Sequence, residues 1–555
     1  MSSHGTNPEE KRKKGTGRGT RKGKGKKSGK KAARNRAQKR KNRRPALTGI
    51  ELCRAYFADG SQKAKLERPF RSWLASLEND RDAFDAFRTD FNRYDWVLFE
   101  RLFVASALLG HGKSPAFLEL CADQLPAASK PAFFNSLVGL LRRQAWMLAS
   151  EDPSFDRGEF LVRRVWPAHL EFLDRHVRRP RAESDARLST GKPRAAVVIP
   201  HLLNLRHSPT RIGFEYARAM ATGGYEVLVV DAGLLPQRVE APLFNPLIAR
   251  YNDTLCAQGT LQFDGVALPF VRVGDASFTV EKVQQAVDII DRFSPNVVLS
   301  YGNLNLVGDC LAAAYPTVFI PAARQAALSL AQVLLYPKRS SADAPPPETA
   351  ERMTGTYHPY SFMPMRYPRS AATTRSELGL PDGVLFAISG TRLDREMTDL
   401  FVETMRRLLE ASSAELVLIG GHYHGRLESA LPQFGPRIHQ LGFQPHLRDT
   451  LRVFDGYLNP FRDGGGTTAF LAMVEGLPVV SLRRGDALNY LGPELTAETP
   501  DEYLAQATAL ANDPAERRAA ALRIKAQADR IPFLTDAFGQ LEEACHLATS
   551  QLRAA

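Results

Sequence analysis

The block GYLNPFRDGGGTTAFLAMVEGLPVVSL, residues 456–482, holds the residue types best suited to chemistry. A short apolar strand ends at Asn459-Pro460, and three glycines follow at Gly464, Gly465 and Gly466. Glycine lets the backbone approach a ligand closely and adopt conformations closed to other residues. Thr467 and Thr468 then open a helix that stops near Gly476, and Leu477-Pro478 lead into another buried strand. The first-turn N–H groups of a helix have no partner within it, and the helix dipole favours negative charge there. With two hydroxyls beside it, such a start predicts an anion site, and phosphate is its natural occupant. The plain alternative is a glycine turn with a threonine cap.

The elements around this block must hold it at the end of a sheet. Short apolar runs VLFAISG, AELVLIGG, IHQLGF, GYLNP and LPVVSL alternate with helices expected near residues 395–409, 447–454 and 467–474. That alternation implies a parallel, doubly wound sheet. An earlier run has the same character. AAVVIP is followed by a helix with Ile212, Tyr216, Ala219 and Met220 on one face, a stop at Gly223-Gly224, and the strand YEVLVVD. NVVLSY, a helix from about Asn305 to Ala314, and TVFIP extend it. A Pro- and Ser-rich linker, residues 338–372, separates the two runs. Two such units face each other across a crevice at the carboxyl ends of their strands, where ligands bind.

Residues 47–180 place large apolar side chains at three- and four-residue spacing and read as helical. The expected organisation is therefore a basic tail at 1–46, an all-α domain at 47–185, and Rossmann-like α/β domains at 193–370 and 371–555. Asp80-Arg81-Asp82 matches a D-x-D metal motif by letters, but residues i and i+2 of a helix point apart, so a solvated surface is expected there.

The net charge of +14 misleads. Residues 1–45 hold 19 Lys/Arg and 2 Asp/Glu, or +17, which leaves −3 for the rest. A segment so charged cannot bury enough apolar surface to offset its ordering entropy, so disorder is expected. It could meet nucleic acid or an anionic membrane surface by charge alone. No run of 18 apolar residues occurs, no apolar stretch follows the basic start as a secretory signal would require, and five cysteines lie far apart. These features point to a cytoplasmic protein with neither disulfide framework nor zinc site.

The 456–482 block resembles the diphosphate-binding segment of GT-B glycosyltransferases. More narrowly, it is similar to the family of protein O-GlcNAc transferases and bacterial adhesin N-glycosyltransferases. The likeness covers roughly 193–535 and is sharpest over 384–482. It implies a GT-B fold and transfer of a hexose from a nucleotide-sugar, with UDP-hexose as co-substrate. The acceptor would be protein or, alternatively, a polysaccharide or lipid-linked glycan. No metal or other cofactor is implied. Gly465, Gly466, Thr467, Thr468 and Asn459 would lie at the donor. The loop SGTRLDREMT would supply a cation to the diphosphate, Arg392 first and Arg395 in reserve. Phe443 and His446, in QLGFQPHLRDT, would flank the base. In the loop after the first strand, HSPTRI makes His207 the first candidate for catalytic base and His201 the second. His358 and Tyr360 would border the crevice. Retaining relatives carry Glu where this chain has Leu471, which favours inversion. An epimerase would place carboxylates around the crevice, which this motif set lacks, and a non-catalytic sugar- or RNA-binding scaffold is the remaining alternative.

Overall fold

The computed structural model describes residues 51–52, 55, 63–93, 115–126, 131–152, 154–180, 191–200, 202, 208–233, 258–273, 278–322, 327–337, 355–360, 373–390, 393–420, 423, 425–462, 464–531 and 538–554. The chain divides into two compact units, Met1–Phe70 and Arg71–Ala555. The expected tail, 1–46, lies outside the described residues, and those described in the first unit are helical.

The first lobe of the second unit is an eight-stranded sheet. The strands are β1 (Arg194–Ile199), β2 (Glu226–Asp231), β3 (Gln258–Phe263), β4 (Val266–Arg272), β5 (Val297–Tyr301), β6 (Thr317–Ile320), β7 (Val333–Pro337) and β8 (Thr356–Tyr360). They lie in the order β3-β4-β2-β1-β5-β6-β7-β8. Every pair is parallel except β3 with β4. Those two form a hairpin whose turn, Asp264-Gly265, has φ +44° and +84°, the positive pair that a tight hairpin turn requires. Strand β8 falls inside the stretch expected to be linker. Thr356, Tyr357 and Tyr360 favour extended backbone, and Pro359 is tolerated because β8 is an edge strand.

Side chains of β1 alternate between two cores. Ala196 and Val198 face one side of the sheet; Ala195, Val197 and Ile199 face the other. The first side carries helices of the expected all-α region. Leu118, Leu137, Leu141, Phe160, Trp166 and Phe172 join Ala196, Val198 and Val298 in one continuous apolar cluster. The helices Pro115–Ala122, Pro131–Glu151 and Trp166–His176 are therefore a layer laid on the first lobe. Helical periodicity shows that each has an apolar stripe, but not what the stripe meets. A buried polar link pins the layer: His169 Nε2 lies 2.8 Å from Asp309 Oδ2. The other oxygen of Asp309 accepts from Ser329 Oγ at 2.7 Å and from Leu330 N at 2.8 Å.

The second lobe is a five-stranded parallel sheet of β9 (Leu385–Ser389), β10 (Glu415–Ile419), β11 (Ile438–Gly442), β12 (Gly456–Leu458) and β13 (Val479–Val480), ordered β11-β10-β9-β12-β13. Residues of Asp399–Ala411 and Pro500–Asn512 pack on one face, and those of Gly466–Val474 and Pro514–Ala528 on the other. The chain does not end in this lobe, as the range 371–555 had implied. Helix Phe538–Ala554 packs on the first sheet, with Leu541, Ala544, Cys545 and Ala548 in its core. Their i, i+3, i+4, i+7 spacing presents one apolar face, and Gln551 Nε2 donates to Thr356 Oγ1 at 2.6 Å.

Candidate functional site

Strand β12 delivers the chain to the carboxyl edge of the second sheet, and the Gly466–Val474 helix starts seven residues beyond Asn459, at Gly466. Gly465 is its N-cap, with φ +89° and no side-chain oxygen to cap the first turn. A Cβ on Gly465 would stand 2.5 Å from Arg462 Nε and Nη2 and 2.6 Å from Asn459 Oδ1. One on Gly466 would stand 2.7 Å from Asp486 Cβ and 3.0 Å from its carbonyl carbon. One on Gly464 would meet only Trp146 Cζ2, at 3.5 Å. Two of the three glycines are thus demanded by space, and Gly465 by its backbone angle as well.

Under this cradle lies a buried arginine that the sequence reading did not single out. Arg462 donates to Ser389 O at 2.7 Å, to Tyr457 Oη at 3.1 Å and to Asn459 Oδ1 at 3.3 Å. Its guanidinium also pairs with Glu396, and both side chains are under 10% exposed. The network ties the end of β9 to the end of β12. Its sequence signal was an arginine three residues before a glycine N-cap, directly after a strand.

Two residues expected at the donor, Asn459 and Thr468, adjoin this network. Asn459 is buried, with its amide donating to Ser481 Oγ at 3.1 Å and its carbonyl accepting from Arg462 and Tyr457. It braces the cradle. Thr468, half-buried, lies within reach of the Tyr457 hydroxyl. Thr467 stays half-buried in the first turn. Leu471 is buried in the core, and Glu475 is held by Arg448 at 2.5 Å and Arg452 at 3.7 Å. Neither offers a carboxylate to the site. Burial first, then Tyr216 and Asp486, hold the Tyr301 hydroxyl well above its ordinary range, which brings Asp486, packed on Gly466, within electrostatic reach of the end of β5.

At the far end of the same edge, Phe443 is 55% exposed just after β11, following Gly442 at φ +64°. His446 is exposed and opens the Leu447–Leu451 helix, which packs on the Gly466–Val474 helix. Gln444 Nε2 donates to Leu441 O at 2.9 Å and holds the loop between them. Phe443 could equally have been core by its type; the structure places it at the surface.

Residues 383–513 match the family described as glycosyl transferases group 1. The matched stretch takes in all five strands of this lobe and the glycine cradle. Among solved structures, the chain is similar to a point mutant of O-GlcNAc transferase from Thermobaculum terrenum, at 16% identity over 87% of this chain and 98% of that one, with a TM-score of 0.49. It is also similar to WaaG, a glycosyltransferase involved in lipopolysaccharide biosynthesis, at 13% identity over 64% and 99% of the two chains, with a TM-score of 0.41. A third is HepE of Anabaena in complex with UDP and glucose, at 13% identity over 63% and 98%, with a TM-score of 0.43.

Three expected residues of the glycosyltransferase site, His201, His207 and Arg392, lie outside the described residues. Arg395 sits in the short Leu393–Glu396 helix, beside the buried Glu396, and its side chain is outside the described set. His358 does not face the crevice: its Nε2 lies 4.0 Å from Glu543 of the final helix. Tyr360 is buried in the first-lobe core. Asp80 accepts from Ala83 N at 3.1 Å and caps the Arg81–Arg93 helix. Among the described residues, no three His, Cys, Asp or Glu side chains gather as a metal site, and no helix is long and apolar enough to cross a membrane.

Proposed function

We propose that the chain is a metal-independent, inverting glycosyltransferase that moves a hexose from a UDP-sugar to a protein acceptor. The observation that carries this reading is the helix start at Gly466. It is uncapped by any side chain at its N-cap, set on a positive-φ glycine, and braced by a buried arginine at the carboxyl edge of a group 1 glycosyltransferase domain. The donor diphosphate rests on the first-turn backbone, where the helix dipole opposes the negative charge that builds on the leaving nucleotide. Phe443 stacks on the base. The acceptor approaches from the first lobe, where His207, or His201 in its place, takes its proton. Leu471 supports inversion because a buried leucine stands where a retaining carboxylate would.

The test is turnover of UDP-hexoses by the full chain, with and without candidate acceptor proteins, in the presence of a chelator. Release of UDP with an inverted anomeric product supports the reading. Retention of configuration, or loss of activity on chelation, removes those parts of it. Transfer only to polysaccharide or lipid-linked glycan replaces the acceptor. Sugar binding without turnover by any nucleotide-sugar makes the chain a scaffold.

A further inference from the structure

The helical layer does more than cover the first sheet. On its Pro131–Glu151 helix, Phe134, Leu137, Leu141 and Leu148 form the stripe buried against that lobe. Residues 142, 146 and 149 lie roughly a quarter turn away, within one narrow arc of the same helix. That arc meets the glycosyltransferase lobe at two points. Trp146 Cζ2 lies 3.5 Å from where a Cβ of Gly464 would stand, and the carbonyl of Ala149 accepts from Arg484. Arg142 sits one turn before Trp146 on this arc.

Among the described residues, Arg142 makes no hydrogen bond and no ion pair. Its side chain is partly exposed. Burial first, and then the neighbouring positive charge of Arg157, pull its guanidinium down to about 10. It is therefore still a cation at neutral pH, with five donors and no carboxylate to meet them. A desolvated cation beside a like charge is costly unless an anion completes it.

We propose that Arg142 is a donor-binding residue which the helical layer contributes to the glycosyltransferase site, its guanidinium contacting the diphosphate of the nucleotide-sugar beside the cradle. This rests on the donor-site reading above and adds the helical layer to that site. Planar guanidinium donors match phosphate oxygens two at a time.

The experiment is calorimetric titration of the full-length wild type, Arg142→Ala and Arg142→Lys with UDP, UMP and uridine. Arg142→Ala is expected to weaken UDP binding by about 10- to 100-fold, the loss of one or two charge-assisted hydrogen bonds. UMP, without the second phosphate, should weaken less, and uridine should not change. Arg142→Lys should recover part of the loss. The ligand-free melting temperature of Arg142→Ala should equal or exceed that of wild type, because an uncompensated charge is gone; a structural role would lower it. Unchanged UDP affinity in Arg142→Ala, or an equal loss for uridine, overturns this inference and leaves the donor site standing. Failure of the wild type to bind UDP, GDP, ADP, CDP or dTDP overturns both.

Discussion

Alanine at each of the three cradle glycines separates backbone demand from spare space. Gly465→Ala meets two penalties. Its φ of +89° is left-handed, which costs a residue with a Cβ about 1–2 kcal/mol. Its new Cβ would also stand 2.5 Å from two nitrogens of Arg462 and 2.6 Å from Asn459 Oδ1. Those atoms cannot retreat freely, because Arg462 is pinned to Ser389 O, Tyr457 and Glu396. Overpacking of that kind adds about 1–3 kcal/mol, for a total of about 2–5 kcal/mol. In a lobe of this size the melting temperature should fall by about 5–15 °C. Gly464→Ala meets one ordinary contact, Trp146 Cζ2 at 3.5 Å, and should stay within about 0.5 kcal/mol of wild type. Gly466→Ala should fall between, since it strikes the Asp486 backbone at 3.0 Å but keeps helical backbone. Differential scanning fluorimetry, paired with UDP titration, reads both effects. Equal melting temperatures for Gly465→Ala and Gly464→Ala would refute the claim that Arg462 and the backbone angle together define the cradle.

Arg462→Ala leaves Glu396 buried and unpaired, so urea denaturation should register a loss of about 3–5 kcal/mol, with Arg462→Met plus Glu396→Gln recovering much of it. Thr468→Val removes the hydroxyl within reach of Tyr457; stability should drop by about 1 kcal/mol, and UDP affinity should suffer less than in Thr467→Val, as read by calorimetry. Burial pushes the Asp231 carboxyl up to about 6 despite Arg272 at 2.9 Å. Its unfolded value is about 3.9, so the native state holds this proton more tightly and the contribution is fully present below pH 4. Stability relative to Asp231→Asn should then fall by about 3 kcal/mol as pH rises from 4 through 6; a flat difference across that window would show that the Arg272 pair dominates.

Much of the fold was legible because buried parallel strands announce themselves as short apolar runs between helices, as VVLSY at β5 and ELVLI at β10 do. The β3–β4 hairpin was there to be read in Asp264-Gly265 but was passed over, since its strands mix polar with apolar residues. Strand β8 was hidden by Pro359, a residue that only an edge position tolerates. What could not be read was which surfaces meet. Helical spacing gives Leu137 and Leu141 one face but not the sheet they cover, and nothing local in the final helix says that it returns to the first lobe.

The site divides along the same line. Three glycines before a helix are a local signal, and the positive φ of Gly465 follows from it. The Arg462 network depends on Glu396, 66 positions earlier, and Ser389, 73 earlier, so only the fold brings it together. Asn459 and Thr468 have the residue types of ligand contacts, and both adjoin the Arg462 network. Phe443 was ambiguous between core and surface by type, and the structure leaves it exposed. Arg142 lies outside the stretch that resembles known transferases, so motif reading could not reach it.

A crystal structure of the full chain grown with UDP tests the central claim most directly. The account predicts the terminal phosphate against the backbone N–H groups of Gly466 and Thr467, with the base beside Phe443. Density for UDP anywhere else, with the start of the Gly466–Val474 helix left bare, would contradict it.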